Sequence, residues 1–239
     1  MRVLRKRDGS KQNYSTTKIE HFLVELTKTR PFLREIAVKS VSSRIRDSLS
    51  SGMSTQDLAT YIAEVCAALT VNHWQYSHLG GRILVSMLHR STPDTFVECM
   101  KTLESVMSPA FVAICEKHAE QLNAMIVHER DYQYDMMGFK TLERSYLLRK
   151  EGIIVERPQY MLMRVAVALH GDDLEAVRQT YEATSRQQYT HATPTLFHAG
   201  LAKQQLASCF LMTMVDDSIE GIFETLKRCA LISKGAGGI

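Results

Sequence analysis

The sequence predicts an α+β chain that is mostly helical. Three observations carry this. A β-hairpin signal opens the chain, with Asp8-Gly9 inside the stretch Val3 to Tyr14. A long succession of apolar stripes at helical spacing follows, several of them opened by Ser, Thr, Asp or Pro. Near the end, the largely apolar run Ser208 to Met214 has strand length and leads into a capped helix, the start of an α/β layer.

The elements follow in order. Thr17 and Glu20 have capping-box spacing, and Ile19, Phe22, Leu23 and Leu26 make the stripe of the first helix, which Pro31 closes. A second helix is expected from Arg34 to Leu49, ended by Ser51-Gly52. Ser54 with Asp57 opens a third, reaching about Val71, and a fourth runs from Gln75 to Arg90. Pro93 and Pro109 follow Thr92 and Ser108, which suits the first helical position, so helices are expected from Pro93 to Val106 and from Pro109 to Val127. Asp131 to Met137 reads as irregular and Thr141 to Lys150 as helical. Pro158 starts an apolar helix ending at His170, and Asp172 or Asp173 caps another that ends near Ser185. His191-Ala-Thr-Pro-Thr-Leu is extended and turn-prone. Asp216-Asp-Ser218 caps the last helix, with Asp217 and Glu220 at capping-box spacing, and that helix reaches about Lys234. The chain closes on Gly235-Ala-Gly-Gly-Ile239, inside a glycine-rich loop after one strand–helix unit. A domain is not expected to stop there, so the polypeptide is expected to be incomplete.

Composition narrows the function classes. With 45% hydrophobic and 23% charged residues, the 239-residue chain has material for a folded core. A net charge of +3 is too small to argue for nucleic acid. No apolar run approaches the roughly 18–20 residues that span a bilayer. The five cysteines form no C-x-x-C pair, which argues against a zinc ribbon, and their scatter without a signal peptide points to a reducing cytosol.

Four features are candidates for chemistry. Arg2, Arg5, Lys6, Arg7 and Lys11 crowd the start against a lone Asp8, and Lys6, Arg7 and the turn backbone suit a triphosphate. A solvated basic edge strand explains the same residues more simply. Cys209 is either a small buried residue or a redox thiol whose partner cysteine lies outside the chain. Asp216-Asp217-Ser218 is either a plain helix cap or a grip on a nucleotide. Gly-Ala-Gly-Gly after Lys234 is either a helix C-cap or a loop that lets backbone approach a ligand; it is no Walker loop, because no Gly-Lys-Ser/Thr follows.

Longer motifs carry a resemblance. Gly138-Phe-Lys-Thr-Leu-Glu-Arg-Ser-Tyr-Leu-Leu148, Glu156-Arg-Pro-Gln-Tyr-Met-Leu-Met-Arg-Val165, His191-Ala-Thr-Pro-Thr-Leu-Phe197, Ser208-Cys-Phe-Leu211, Asp216-Asp-Ser-Ile-Glu-Gly-Ile222 and Leu226 to Ile239 resemble, in this order, segments of class I ribonucleotide reductase large subunits of the eukaryotic type. The first 90 residues resemble the family's activity-regulating ATP-cone. The resemblance implies an ATP-cone over 1–91 (helices with a small β-sheet), a helical N-terminal domain over 92–190, and over 191–239 the first strand–helix unit of a ten-stranded α/β barrel.

By position, the resemblance implies an activity site for ATP or dATP at Lys6, Arg7, Gln12, Lys18, Thr55 and Arg90. Three departures bear on whether this cone distinguishes ATP from dATP: Gln12 stands for a frequent acid, Arg90 for a lysine and Ala59 for an aspartate. Cys209 matches one of two cysteines that become a disulfide as the ribose is reduced. Thr193, Ser208 and Gly238 match substrate-contacting positions, and Asp217, Ser218, Ile219 and Lys234 match the dNTP specificity site. The implied reaction is reduction of ribonucleoside diphosphates to deoxyribonucleoside diphosphates. The implied effectors are ATP, dATP and dNTPs with Mg2+, with no metal held by this chain's own side chains.

The thiyl-radical cysteine, the second redox cysteine and the radical-transfer tyrosines of the family fall beyond position 239, so the chain alone is expected not to turn over. Implied partners are the remaining C-terminal part of the large subunit, a radical-generating small subunit, thioredoxin or glutaredoxin, and a second copy in a homodimer or higher oligomer. Nucleic acid and membrane are not among them, and a cytoplasmic location is expected. Two other readings are a non-catalytic ATP-cone nucleotide sensor and an adenosylcobalamin-dependent class II relative.

Overall fold

The computed structural model describes residues 3–6, 9–48 and 52–239. They form two compact units. The first comprises residues up to 93 together with 127–147, and the second 94–126 together with 148–239.

In the first unit, β1 (Val3–Arg5) pairs antiparallel with β2 (Lys11–Asn13), Leu4 opposite Gln12. Next to the paired strands, Lys6 N donates to Ser10 O at 2.8 Å; the two-residue turn expected at Asp8-Gly9 lies partly outside the described residues. Asp8 and Arg7 lie outside the described residues. The other edge of β1 meets the segment before the third helix: Arg5 N donates to Met53 O at 3.0 Å. The hairpin is thereby fixed to the start of that helix.

Four helices follow: α1 (Thr16–Lys28), α2 (Val38–Ser48), α3 (Thr55–Leu69) and α4 (Gln75–His89). The α1 cap is Ser15, which accepts from Lys18 N, and not the expected Thr17. Serine and threonine are equivalent as caps, so spacing alone did not choose between them. The capping box of Ser54 and Asp57 on α3 forms as expected. α2 starts four residues later than expected, because residues 34–37 run across Gln75 and Tyr76: Gln75 Oε1 accepts from Glu35 N at 2.8 Å and the Tyr76 hydroxyl accepts from Ala37 N at 3.1 Å. Packing of α3 on α4 dominates this unit, around Ala63, Cys66, Leu79 and Ile83.

Residues 127–147 complete the unit with a 3-10 turn, His128–Gln133, and α5, which is Met136–Ser145 in this numbering and begins earlier than the expected Thr141 because Asp135 caps it. Gly81 of α4 lies against this segment: a Cβ there would stand 2.5 Å from Tyr134 O. Arg82, fully buried, donates to the carbonyls of Leu26, Thr29, Pro31 and Tyr132, and burial pushes its pKa down to about 10.

The second unit is also helical. Its helices are αA (Phe96–Thr102), αB (Pro109–Lys117), αC (Ala119–Met125), αD (Pro158–His170), αE (Leu174–Ser185), αF (Thr193–His198) and αG (Ile219–Lys234). The expected helix from Pro93 is shorter, since Thr95 and not Thr92 is its cap, and the one from Pro109 breaks at His118. A hairpin of β3 (Arg149–Lys150) and β4 (Ile153–Ile154) replaces the expected end of a helix at Lys150. Its turn, Glu151-Gly152, has both φ positive, at 51° and 82°, the backbone that favours two-residue hairpins.

Two expectations near the end are corrected. Thr193–His198 is helical, not extended, with Pro194 in the first turn where its fixed φ suits a helix. Ser208 to Met214 is not a continuous strand: only Cys209 pairs, in a parallel bridge with Gly238. A strand needs a neighbour along its length, and the described residues supply this one.

Candidate functional site

The first unit holds two adjoining cavities beneath the hairpin, of about 370 and 380 Å³, which share Gln12, Thr55, Met87 and Arg90. β1 and β2 form the roof, α1 one wall, and the start of α3 and end of α4 the other. Among the described residues, Lys6, Lys18 and Arg90 are their cationic lining residues, and no Asp or Glu lines either one. Leu4, Ile19, Phe22, Leu58, Ala59 and Ile62 supply apolar surface. The Arg90 guanidinium stands 5.6 Å from the centre of the Phe22 ring, a cation–π arrangement that fixes its direction. Cations beside an apolar floor suit a ligand with a phosphate end and a flat apolar end.

Of the six activity-site positions, the fold brings together Lys6, Gln12, Lys18, Thr55 and Arg90; Arg7 lies outside the described residues. Sequence reasoning missed Phe22 and Met87. Helical spacing was the available signal, because Phe22 lies four residues after Lys18 and Met87 three before Arg90.

A second group of residues lies at the end of the chain. Phe210 N donates to Gly238 O at 2.9 Å, and Gly238 N donates to Ser208 O at 2.8 Å. Ser208, Cys209 and Gly238 are thus drawn together, with Ser208 Oγ 3.6 Å from Cys209 Sγ. The close approach depends on the glycines: a Cβ on Gly237 would come 2.7 Å from both Ile232 Cγ2 and the Phe210 ring. Thr193 opens αF, which is tied to the same run through Thr195 Oγ1 donating to Leu206 O at 3.0 Å. Cys209 is exposed. By contrast, Cys66, Cys99 and Cys115 are buried, and burial pushes the thiols of Cys66 and Cys115 up to about 12 and that of Cys99 up as well.

The four specificity-site positions divide between the ends of αG. The observed cap is Ser218, accepting from Gly221 N at 3.0 Å, and not Asp217. Gly221 is required there, since a Cβ would run into the Asp216 backbone. Asp217, Ser218 and Ile219 stand at this end and Lys234 at the other, about 24 Å away for a helix of this length. One chain does not bring them together. Between them Ile219, Ile222, Phe223 and Leu226 are exposed on αG.

Among the described residues, no group of three or more His, Cys, Asp or Glu is placed to hold a metal, and no helix is long and apolar enough to cross a membrane.

Three family models match successive parts of the chain: the ATP cone domain over residues 2–91, the ribonucleotide reductase all-alpha domain over 132–204, and the ribonucleotide reductase barrel domain over 207–239. Curated relatives are the ribonucleoside-diphosphate reductase large subunits of Dictyostelium discoideum (45% identical, over 98% of this chain and 28% of the relative) and Caenorhabditis elegans (45%, over 98% and 31%). The large subunit of Arabidopsis thaliana is 48% identical over 83% of this chain and 26% of its own length. The chain therefore spans under a third of the length of these relatives. With the three models in succession and this identity along nearly its whole length, the chain belongs to the family of ribonucleotide reductase large subunits.

Proposed function

We propose that the chain serves a ribonucleoside-diphosphate reductase as its nucleotide-sensing part and as one side of its substrate site. The observation that carries this reading is the convergence of Lys6, Gln12, Lys18, Thr55 and Arg90 on one cavity region with an apolar floor. ATP or dATP occupies it, the triphosphate on the cations and the base on the apolar side; Arg7, the sixth residue of this reading, lies outside the described residues. Mg2+ would accompany the phosphates and neutralise part of their charge. Domain limits of 1–91, 92–190 and 191–239 describe the cone, the helical domain and the beginning of the barrel.

With no carboxylate among the described lining residues and Ala59 on the floor, recognition rests on phosphate and base more than on the ribose. At the other site Thr193, Ser208 and Gly238 contact a ribonucleoside diphosphate. Cys209 with a second cysteine outside residues 1–239 gives up two electrons and two protons as the pair closes to a disulfide, while a C–O bond of the ribose breaks, its hydroxyl leaves as water and a C–H bond takes its place. Thioredoxin or glutaredoxin reopens that disulfide, and a small subunit supplies the radical.

A homodimer explains αG. Packed antiparallel on a partner copy, its exposed apolar side chains are covered, and Asp217, Ser218 and Ile219 of one copy approach Lys234 of the other, forming a dNTP site. The reaction belongs in the cytoplasm, where thiols stay reduced. A cone acting only as a sensor leaves the matches over 132–239 without a role.

Calorimetric titration of the chain with MgATP and MgdATP tests the carrying observation. The expected result is saturable binding of both, with affinities within a few-fold of each other, and a loss of about tenfold or more in Arg90→Ala, the size of one charge-assisted contact. Absence of binding, or an unchanged affinity in the variant, removes the reading.

A further inference from the structure

A cavity of about 500 Å³ in the first unit takes no part in the sites above. Its walls are the end of α3 (Ala67, with Thr70 just after it), the start of α4 (Ser77) and one face of α5 (Met136, Met137, Lys140, Arg144). Lys140 and Arg144 are four residues apart and share that face. Among the described residues no Asp or Glu lines the cavity, although Glu143 of the same helix stands 3.7 Å from Lys140. The apolar surface continues outside it. Met137 is 77% exposed, and the turn joining α3 to α4, immediately beside Thr70 and Ser77, carries Val71 at 89% and Trp74 at 59%.

We propose that this groove docks an acidic, amphipathic segment of a partner protein. A small ligand filling the cavity leaves Val71 and Trp74 bare, whereas a helix lying along the groove covers them. Trp, Met and Arg are the side chains that concentrate in protein interfaces, and methionine adapts to the shape of its occupant. The charge fixes the chemistry of that occupant: Lys140, whose solvent-exposed pairing with Glu143 at 3.7 Å is a weak one, and Arg144 line the groove and select glutamate and aspartate on the polar flank of the incoming helix.

Trp74 is the one tryptophan of the chain, so its emission reports on the groove. The experiment titrates the full chain with a short synthetic tryptophan-free helix bearing Leu and Phe on one face and Glu on the other, and with the same peptide carrying Lys in place of Glu. The expected result is a saturable blue shift of Trp74 with the Glu peptide and none with the Lys peptide. The double variant Lys140→Glu/Arg144→Glu, its fold checked by circular dichroism, is expected to weaken the Glu peptide by about tenfold or more, the size of a lost charge-assisted contact. Equal binding of both peptides, or unchanged binding in the double variant, overturns the proposal. So does saturable anilinonaphthalene sulfonate binding that the Glu peptide fails to displace, because the groove then belongs to a small amphiphile.

Discussion

Arg164 and Glu156 face each other in the interior of the second unit, both fully buried, with Nε 2.7 Å from Oε1 and a second guanidinium nitrogen 3.2 Å from Oε2. Each partner makes further hydrogen bonds. Arg164 donates to Ala199 O at 2.6 Å and Leu196 O at 3.0 Å, and Glu156 accepts from Leu148 N at 3.0 Å. The pair therefore ties the β3–β4 hairpin and αD to the end of αF, the helix that Thr193 opens. A buried pair of this kind adds little over an apolar core, but removing one partner strands the other. Glu156→Gln is expected to cost about 3–5 kcal/mol, read from urea denaturation, while Glu156→Gln with Arg164→Met costs less than the sum of the single changes. Additive losses contradict the coupling.

Gly81 sets two effects against each other. Alanine in a helix interior is worth about 1 kcal/mol over glycine. The added Cβ, however, would stand 2.5 Å from Tyr134 O and 2.9 Å from Asp135 O, both backbone atoms, and overpacking costs about 1–3 kcal/mol. Gly81→Ala is expected to lower the urea midpoint. A variant as stable as the parent means that residues 134–135 shift aside without cost.

Thiol labelling separates the cysteines. Cys209 is exposed and Cys229 partly so, while Cys66, Cys99 and Cys115 are buried with raised pKa values. Since the thiolate is the reactive form, iodoacetamide under native conditions is expected to mark Cys209 first, read by peptide mass. Early labelling of a buried cysteine contradicts this burial pattern.

The imidazole of His78 gives a pH dependence. Burial lowers its pKa, the Arg82 charge adding to this, against the Asp135 carboxylate and the Gln133 carbonyl; its Nδ1 is buried without a hydrogen bond among the described residues. The unfolded chain takes up this proton near pH 6.5, and the folded chain only at lower pH. Stability is therefore full above that point and falls as pH drops from about 6.5 through the folded value. His191 shifts the same way, through burial and His170. Urea midpoints between pH 5 and 8 should fall less steeply in His78→Gln than in the parent; parallel curves rule this out.

What was legible in the sequence was local. Ser54 with Asp57 and Pro158 marked helix starts correctly, and of the two candidates Asp172 and Asp173 the second is the cap, because a cap or an N-terminal proline acts within one turn. The hairpin at Glu151-Gly152 was hidden because its strands are two residues each and its turn lacks the usual asparagine or aspartate. The run from Ser208 was misread because strand formation depends on a distant partner. For the candidate site, the cations were legible from resemblance. Phe22 and Met87 emerged only when the helices placed them beside Lys18 and Arg90.

The central claim is that this chain works within a reductase. CDP reductase activity, followed with intact mass through fractionation of the native protein from its source, tests it most directly. The account predicts that activity tracks the polypeptide carrying these residues, alone or with a second polypeptide, and that Cys209→Ser in the same assembly abolishes turnover. Activity that separates from this polypeptide, or that survives Cys209→Ser, contradicts it.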